Sequence, residues 1–152
     1  MSQESTLRWG LLSTALINRS LIPPLRELEH NEVAAIASRT YEKAKDFSEH
    51  WNIPKVFGSY EALLADQGID VVYIPLPNSL HAEWTVKAAN ASKHILCEKP
   101  LALTVEEVDQ MTSAAHQVGV VMAEALMYRH HPQTLKAKEL IDEGVIGKLR
   151  LI

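Results

Sequence analysis

A single cysteine, Cys97, stands in the whole chain, so neither an internal disulfide framework nor a multi-cysteine metal site can be built. A reducing compartment fits that scarcity. No apolar run approaches the roughly 20 residues that cross a bilayer. The opening residues Met1 to Thr6 are polar and carry Glu4, unlike a signal peptide. Positive charge is also short: 15 Lys and Arg face 19 Asp and Glu, a net charge of −4. With no basic footprint, nucleic acid is not expected as a partner. There is no internal repeat, low-complexity tract or interdomain linker. What remains is an ordinary globular composition, 47% hydrophobic and 22% charged, in 152 residues that suit one domain. A cytoplasmic protein without a membrane segment is expected.

Hydrophobic period and breaker residues divide the chain into alternating strands and helices. Leu7 to Leu12 reads as a strand, followed by a helical stretch from about Ala15 to Leu28 that Pro23 and Pro24 should kink or split. Glu32 to Ala37 reads as a buried strand. Thr40 is placed to cap a helix running to Trp51. A short strand at Lys55 to Phe57 precedes Ser59, which can cap a helix through Leu64. Asp70 to Pro75 is apolar at nearly every position, as a strand covered on both faces should be. Helix Leu80 to Ala91, strand His94 to Cys97, helix Thr104 to Gly119, strand Val120 to Ala123 and helix His131 to Glu143 follow. The tail Lys148 to Ile152 reads as a strand cut off as it begins. This alternation implies an α/β fold: a doubly wound, mostly parallel sheet of about six strands with helices on both faces, the Rossmann architecture. Ligands of such sheets bind beyond the carboxyl ends of the strands.

The unusual residues sit at those ends. The first strand-to-helix turn carries Ser13, Thr14, Ala15, Leu16 and Ile17 before Asn18. A dinucleotide fingerprint would have glycine at 13, 15 and 18. Ser and Ala are small enough to keep much of that function, and the amides of the helix start can still cradle an anion. Taken alone, the turn equally suits a plain strand-to-helix connection. After the second strand come Ser38, Arg39 and Thr40, with Lys43 one turn on, where an NAD-specific site usually has an acidic residue. A cation and hydroxyls suit a 2′-phosphate, which favours NADP while leaving NAD open; a solvated surface Arg is the alternative. Pro75, Leu76, Pro77 and Asn78 form a stiff turn that can lie beneath a nicotinamide ribose, and His81 can hold that loop by bonding nearby backbone. Glu98-Lys99-Pro100 sets two opposite charges at the mouth of a buried strand, a costly arrangement unless it serves a site or a structural ion pair. Lys99 is expected near the cofactor, partly desolvated, and Lys99-Pro100 is a candidate cis peptide. Glu124 to Pro132 gathers polar groups, among them Tyr128 beside a nicotinamide and Arg129 for a carboxamide or substrate oxygen. His130 and His131 are no metal site: neighbours in sequence point apart, and no spaced ligand completes a set. No metal is expected.

Together these motifs resemble the Gfo/Idh/MocA oxidoreductase family over about Leu7 to Ile152. The specific parts are Pro77-Asn78 with His81, Glu98-Lys99-Pro100, and Glu124-Ala125 with Tyr128-Arg129 and Pro132. The likeness is nearest to the NADP-dependent dihydrodiol and D-xylose dehydrogenase branch. It implies hydride transfer between nicotinamide and a carbon bearing a hydroxyl or carbonyl on a sugar or diol. Lys99 is implied as the positioning or proton-relaying group. Ser13 to Ile17 are implied at the pyrophosphate and Ser38 and Arg39 at the adenosine end. Leu76, Pro77, Asn78, His81, Glu98 and Arg129 complete the implied cofactor cleft.

Ser13 departs from the family pattern, and the resemblance implies a second, substrate-binding domain that would begin about where Ile152 stands. The expectation is therefore a chain that binds cofactor and lacks turnover by itself, a monomer or weak homodimer through apolar surface near Leu149, Leu151 and Ile152. A stand-alone dinucleotide-binding or interaction module without catalysis is the other reading.

Overall fold

The computed structural model describes residues 6–150. Six strands form one sheet: β1 (Leu7–Leu12), β2 (Asn31–Ala37), β3 (Lys55–Phe57), β4 (Val71–Ile74), β5 (His94–Cys97) and β6 (Met122–Glu124). Their order is β3-β2-β1-β4-β5-β6, and every neighbouring pair runs parallel. The helices are α1 (Asn18–Glu27), α2 (Tyr41–Trp51), α3 (Tyr60–Ala65), α4 (His81–Asn90), α5 (Val105–Val118) and α6 (Pro132–Asp142). The doubly wound α/β fold expected from the sequence is the observed one.

The alternation of the strands divides the core between two faces, and an extra residue in β2 between Val33 and Ala35 keeps Val33 and Ile36 on the same one. Leu11, Val33, Ile36 and Tyr73 pack with Ile22 and Leu25 of α1 and Ala44 of α2. Leu12, Val72, Ile74, Ile95 and Cys97 turn the other way, onto Leu63 and Leu64 of α3, Trp84 and Ala88 of α4, and Met111 of α5. Gly10 lies in β1 where a β-carbon would stand 2.6 Å from a Leu63 methyl, so its bare backbone lets α3 close on the sheet. β1 pairs with β2 on one side and β4 on the other. Connections reverse direction there, and a crevice opens beyond the carboxyl ends of β1 and β4. That crevice positions the site.

Local expectations change at several points. α1 starts at Asn18 rather than near Ala15, and both prolines stay inside one helix. Pro23 and Pro24 are exposed, so the carbonyls they fail to pair can be solvated. Thr40 stands at the start of α2 but its side chain makes no capping hydrogen bond. β6 starts at Met122, because the Val120 amide donates to Ala115 O while Gly119, at φ +72°, closes α5. Lys148 to Arg150 are not strand, and the remainder of that expected strand, Leu151 and Ile152, lies outside the described residues. Among the described residues no helix is long and apolar enough to cross a membrane. α6 buries none of its residues; Leu135, Val145, Ile146 and Leu149 are exposed on and beyond it.

Candidate functional site

The crevice holds two cavities, one on each side of the β1–α1 turn. The first, about 420 Å³, is lined by Ser13, Thr14 and Ala15 from that turn, Ser38, Arg39, Thr40 and Lys43 from the β2–α2 junction, and Pro75, Leu76, Pro77 and Leu80 after β4, with Tyr60 at its side. No carboxylate is in this lining. Burial raises the Tyr60 phenol above its usual range, and the nearby Arg39 cation opposes that rise. The amides of Leu16 and Ile17 meet no acceptor among the described residues, whereas those of Asn18, Arg19 and Ser20 close the first turn of α1. Donors left free at a helix start suit an anion. Leu16 itself is exposed.

The second cavity, about 400 Å³, is largely apolar and runs between α1 and the ends of β5 and β6. Ile17, Leu21, Tyr73, Leu96, Glu98, Glu124, Ala125, Met127 and His130 are among its walls. Glu98, a wall of this second cavity, opens the bend after β5, where the Lys99–Pro100 peptide is cis, as expected.

Three side chains from three other elements fasten this bend. The Tyr73 hydroxyl of β4 donates to Glu98 Oε1 at 2.5 Å, and Glu98 Oε2 accepts the Lys99 amide at 3.1 Å. Glu124, ending β6, accepts the Leu101 amide at 2.9 Å. His81, fully buried at the start of α4, sets Nδ1 2.9 Å from Pro100 O and Nε2 2.8 Å from Leu76 O. One imidazole therefore joins the β5 bend to the loop after β4. His81 is a fastening of the site rather than a wall of it. Burial, and then the bond to Glu98, raises the Tyr73 phenol far above its usual range, so it stays a donor.

Of the other residues singled out in the sequence, Asn78 and Lys99 are exposed at the rim, so Lys99 is not desolvated as expected. Glu98 gives its carboxylate to Tyr73 and the Lys99 amide, and no Glu98–Lys99 ion pair forms. Tyr128 and Arg129 are exposed on a 3-10 turn, Met127–His130, and neither lines a cavity. Tyr73 was not singled out. Its signal was a hydroxyl in an otherwise apolar strand, which must find a partner once buried. Cys97 is buried, and burial pushes its thiol up to about 12. Among the described residues no group of three His, Cys, Asp or Glu side chains is placed to hold a metal ion.

Comparison with known proteins agrees with this fold. Residues 7–126 match the GFO/IDH/MocA profile, described as an oxidoreductase family with an NAD-binding Rossmann fold. A D-xylose 1-dehydrogenase (NADP(+)) of Haloferax volcanii is 47% identical over 136 residues, covering 89% of this chain and 42% of that protein. A trans-1,2-dihydrobenzene-1,2-diol dehydrogenase of Danio rerio is 38% identical over 148 residues, 96% of this chain and 44% of the relative. KijD10, a 3-ketoreductase of Actinomadura kijaniata crystallised with NADP and TDP-benzene, superposes with a TM-score of 0.90 at 39% identity, covering 96% of this chain and 46% of its own. The chain thus spans less than half the length of these relatives.

Proposed function

This chain belongs to the Gfo/Idh/MocA oxidoreductase family, and on that premise we propose that it binds a nicotinamide dinucleotide, NADP in preference to NAD. It would do so as the cofactor half of an enzyme acting on a sugar or diol. The observation that carries the reading is the cavity wall that sets Arg39 and Lys43 beside Ser38 and Thr40 with no carboxylate. Arg39 offers a planar fork for a 2′-phosphate and Lys43 a second positive charge, and nothing in the wall repels that group. The free amides of Leu16 and Ile17, beside Ser13, Thr14 and Ala15, suit a pyrophosphate.

Bound nicotinamide supplies hydride chemistry; the residues here bind and orient it. In this reading Pro75, Leu76, Pro77 and Asn78 support the ribose, Ile17 and Glu98 bound the nicotinamide pocket, and Arg129 reaches the carboxamide or a substrate oxygen. Lys99, at the rim of the fastened bend, positions a substrate oxygen or relays its proton. The relatives named for D-xylose and a dihydrobenzenediol support the substrate class. We also infer that the 152 residues alone bind cofactor without turnover. Lys99 is exposed, and both cavities open to water, whereas hydride transfer from an alcohol needs a positioned base and a closed pocket.

Calorimetric titration tests the binding. Saturable heat with NADP is expected; no heat with millimolar NADP or NAD contradicts the reading. A panel of aldoses and diols is expected to give no NADP reduction by this chain. A rate that disappears in Lys99→Ala would overturn that second statement.

A further inference from the structure

The turn between β1 and α1 has the backbone of a glycine turn without its glycines. Ser13 stands where the fingerprint has its first glycine, and its φ is +111°. L-residues avoid that region because the β-carbon crowds the chain, whereas glycine enters it freely. Something must hold Ser13 there.

Asn18, at the third glycine position and the first residue of α1, is fully buried. Its Nδ2 donates to the Ser13 carbonyl at 2.7 Å. A carbonyl only accepts, so this bond fixes which way the amide faces. Oδ1 must then point away, and it finds no partner among the described residues. Leaving half of a buried amide unpaired is costly, so the half that pairs has value. The Ser13 amide donates to Ala37 O of β2 at 3.0 Å, and its hydroxyl accepts the Ala15 amide at 3.3 Å. Ser13 is thereby pinned through its amide, carbonyl and hydroxyl. The free amides of Leu16 and Ile17 lie within the loop that these bonds close.

We propose that Ser13 and Asn18 act as one unit in place of two fingerprint glycines. Asn18 is a positioning residue: its amide holds the Ser13 carbonyl and keeps the strained turn in the shape that presents the Leu16 and Ile17 amides to the cofactor phosphates. The phosphate role rests on the proposed cofactor reading; the coupling of the two residues does not. With glycine at 13 the turn would need no clamp, so the requirement for Asn at 18 depends on Ser at 13.

A double-mutant cycle tests this, read both by NADP affinity and by the melting temperature of the protein without cofactor. Asn18→Ala is expected to weaken NADP about tenfold or more, and Asn18→Asp, which keeps the size and removes the donor, at least as much. In a Ser13→Gly background, Asn18→Ala is expected to cost less than about threefold. The melting temperature should fall further on Asn18→Ala with Ser13 present than in the Ser13→Gly background. Equal losses in both backgrounds, or wild-type behaviour of Asn18→Asp, would overturn the proposal. If Asn18→Ala alone does not fold, folding of the double variant supports the proposal and its failure overturns it. Absence of NADP binding by the wild type would sink the cofactor reading alone, and the melting cycle would still decide the coupling.

Discussion

Tyr73 and Glu98 share a hydrogen bond of 2.5 Å from the middle of β4 to the first residue beyond β5. The donor is almost wholly buried and the acceptor sits at the mouth of the crevice, so the bond ties the core to the bend that carries Lys99 and Pro100.

Removing that donor has a definite expected cost. Tyr73→Phe keeps the ring and leaves Glu98 Oε1 without its partner, which should destabilise the fold by about 1.5–3 kcal/mol, the range for hydrogen bonds to charged groups. Urea unfolding measures it. A loss under about 0.5 kcal/mol would mean that Glu98 is satisfied by water instead.

Acid should weaken the end of the sheet opposite the crevice. Arg8 donates to both carboxylate oxygens of Asp70 at 2.8 Å. That hydrogen bonding holds the Asp70 carboxyl below its usual range; partial burial opposes it, and Lys93 adds a smaller pull downward. The folded value thus lies below the unfolded one. The stabilisation is complete above the unfolded Asp value near about 4 and disappears as pH falls through the folded value. Melting temperature followed from about pH 6 to about pH 2 should fall more steeply for the wild type than for Asp70→Asn. Parallel acid limbs would exclude Asp70 as a contributor.

Cys97 should be inert in the native protein. It is fully buried, and a thiol pushed up to about 12 carries almost no thiolate near neutrality. Alkylation at about pH 8 should be roughly a hundredfold slower than in denaturant. Comparable rates in the two states would show that β5 opens readily.

The strands were legible because parallel strands covered on both faces read as continuous apolar runs, as Val71 to Ile74 does. The boundary of β6 was not, because Val120 is taken by the closing turn of α5, a competition between neighbours that apolar character does not reveal. The cis Lys99–Pro100 bond was legible from chemistry alone, as X-Pro bonds are the ones that adopt cis cheaply. The fastenings around it were not. Tyr73 meets Glu98 only because β4 and β5 align Tyr73 with Leu96 and Ile74 with Cys97, a register fixed by the fold. Asn18 looked like a lost glycine in the sequence, and only the shape of the turn gives it a partner in Ser13.

In the proposed complex the cavity beyond β2 holds the phosphorylated adenosine ribose. Parallel calorimetric titrations with NADP and NAD, on the wild type and on Arg39→Ala, decide whether it does. NADP is expected to bind the wild type at least about tenfold more tightly than NAD, and Arg39→Ala to remove most of that difference by weakening NADP alone. Equal affinities for the two cofactors in the wild type, or a preference that survives Arg39→Ala unchanged, would contradict it.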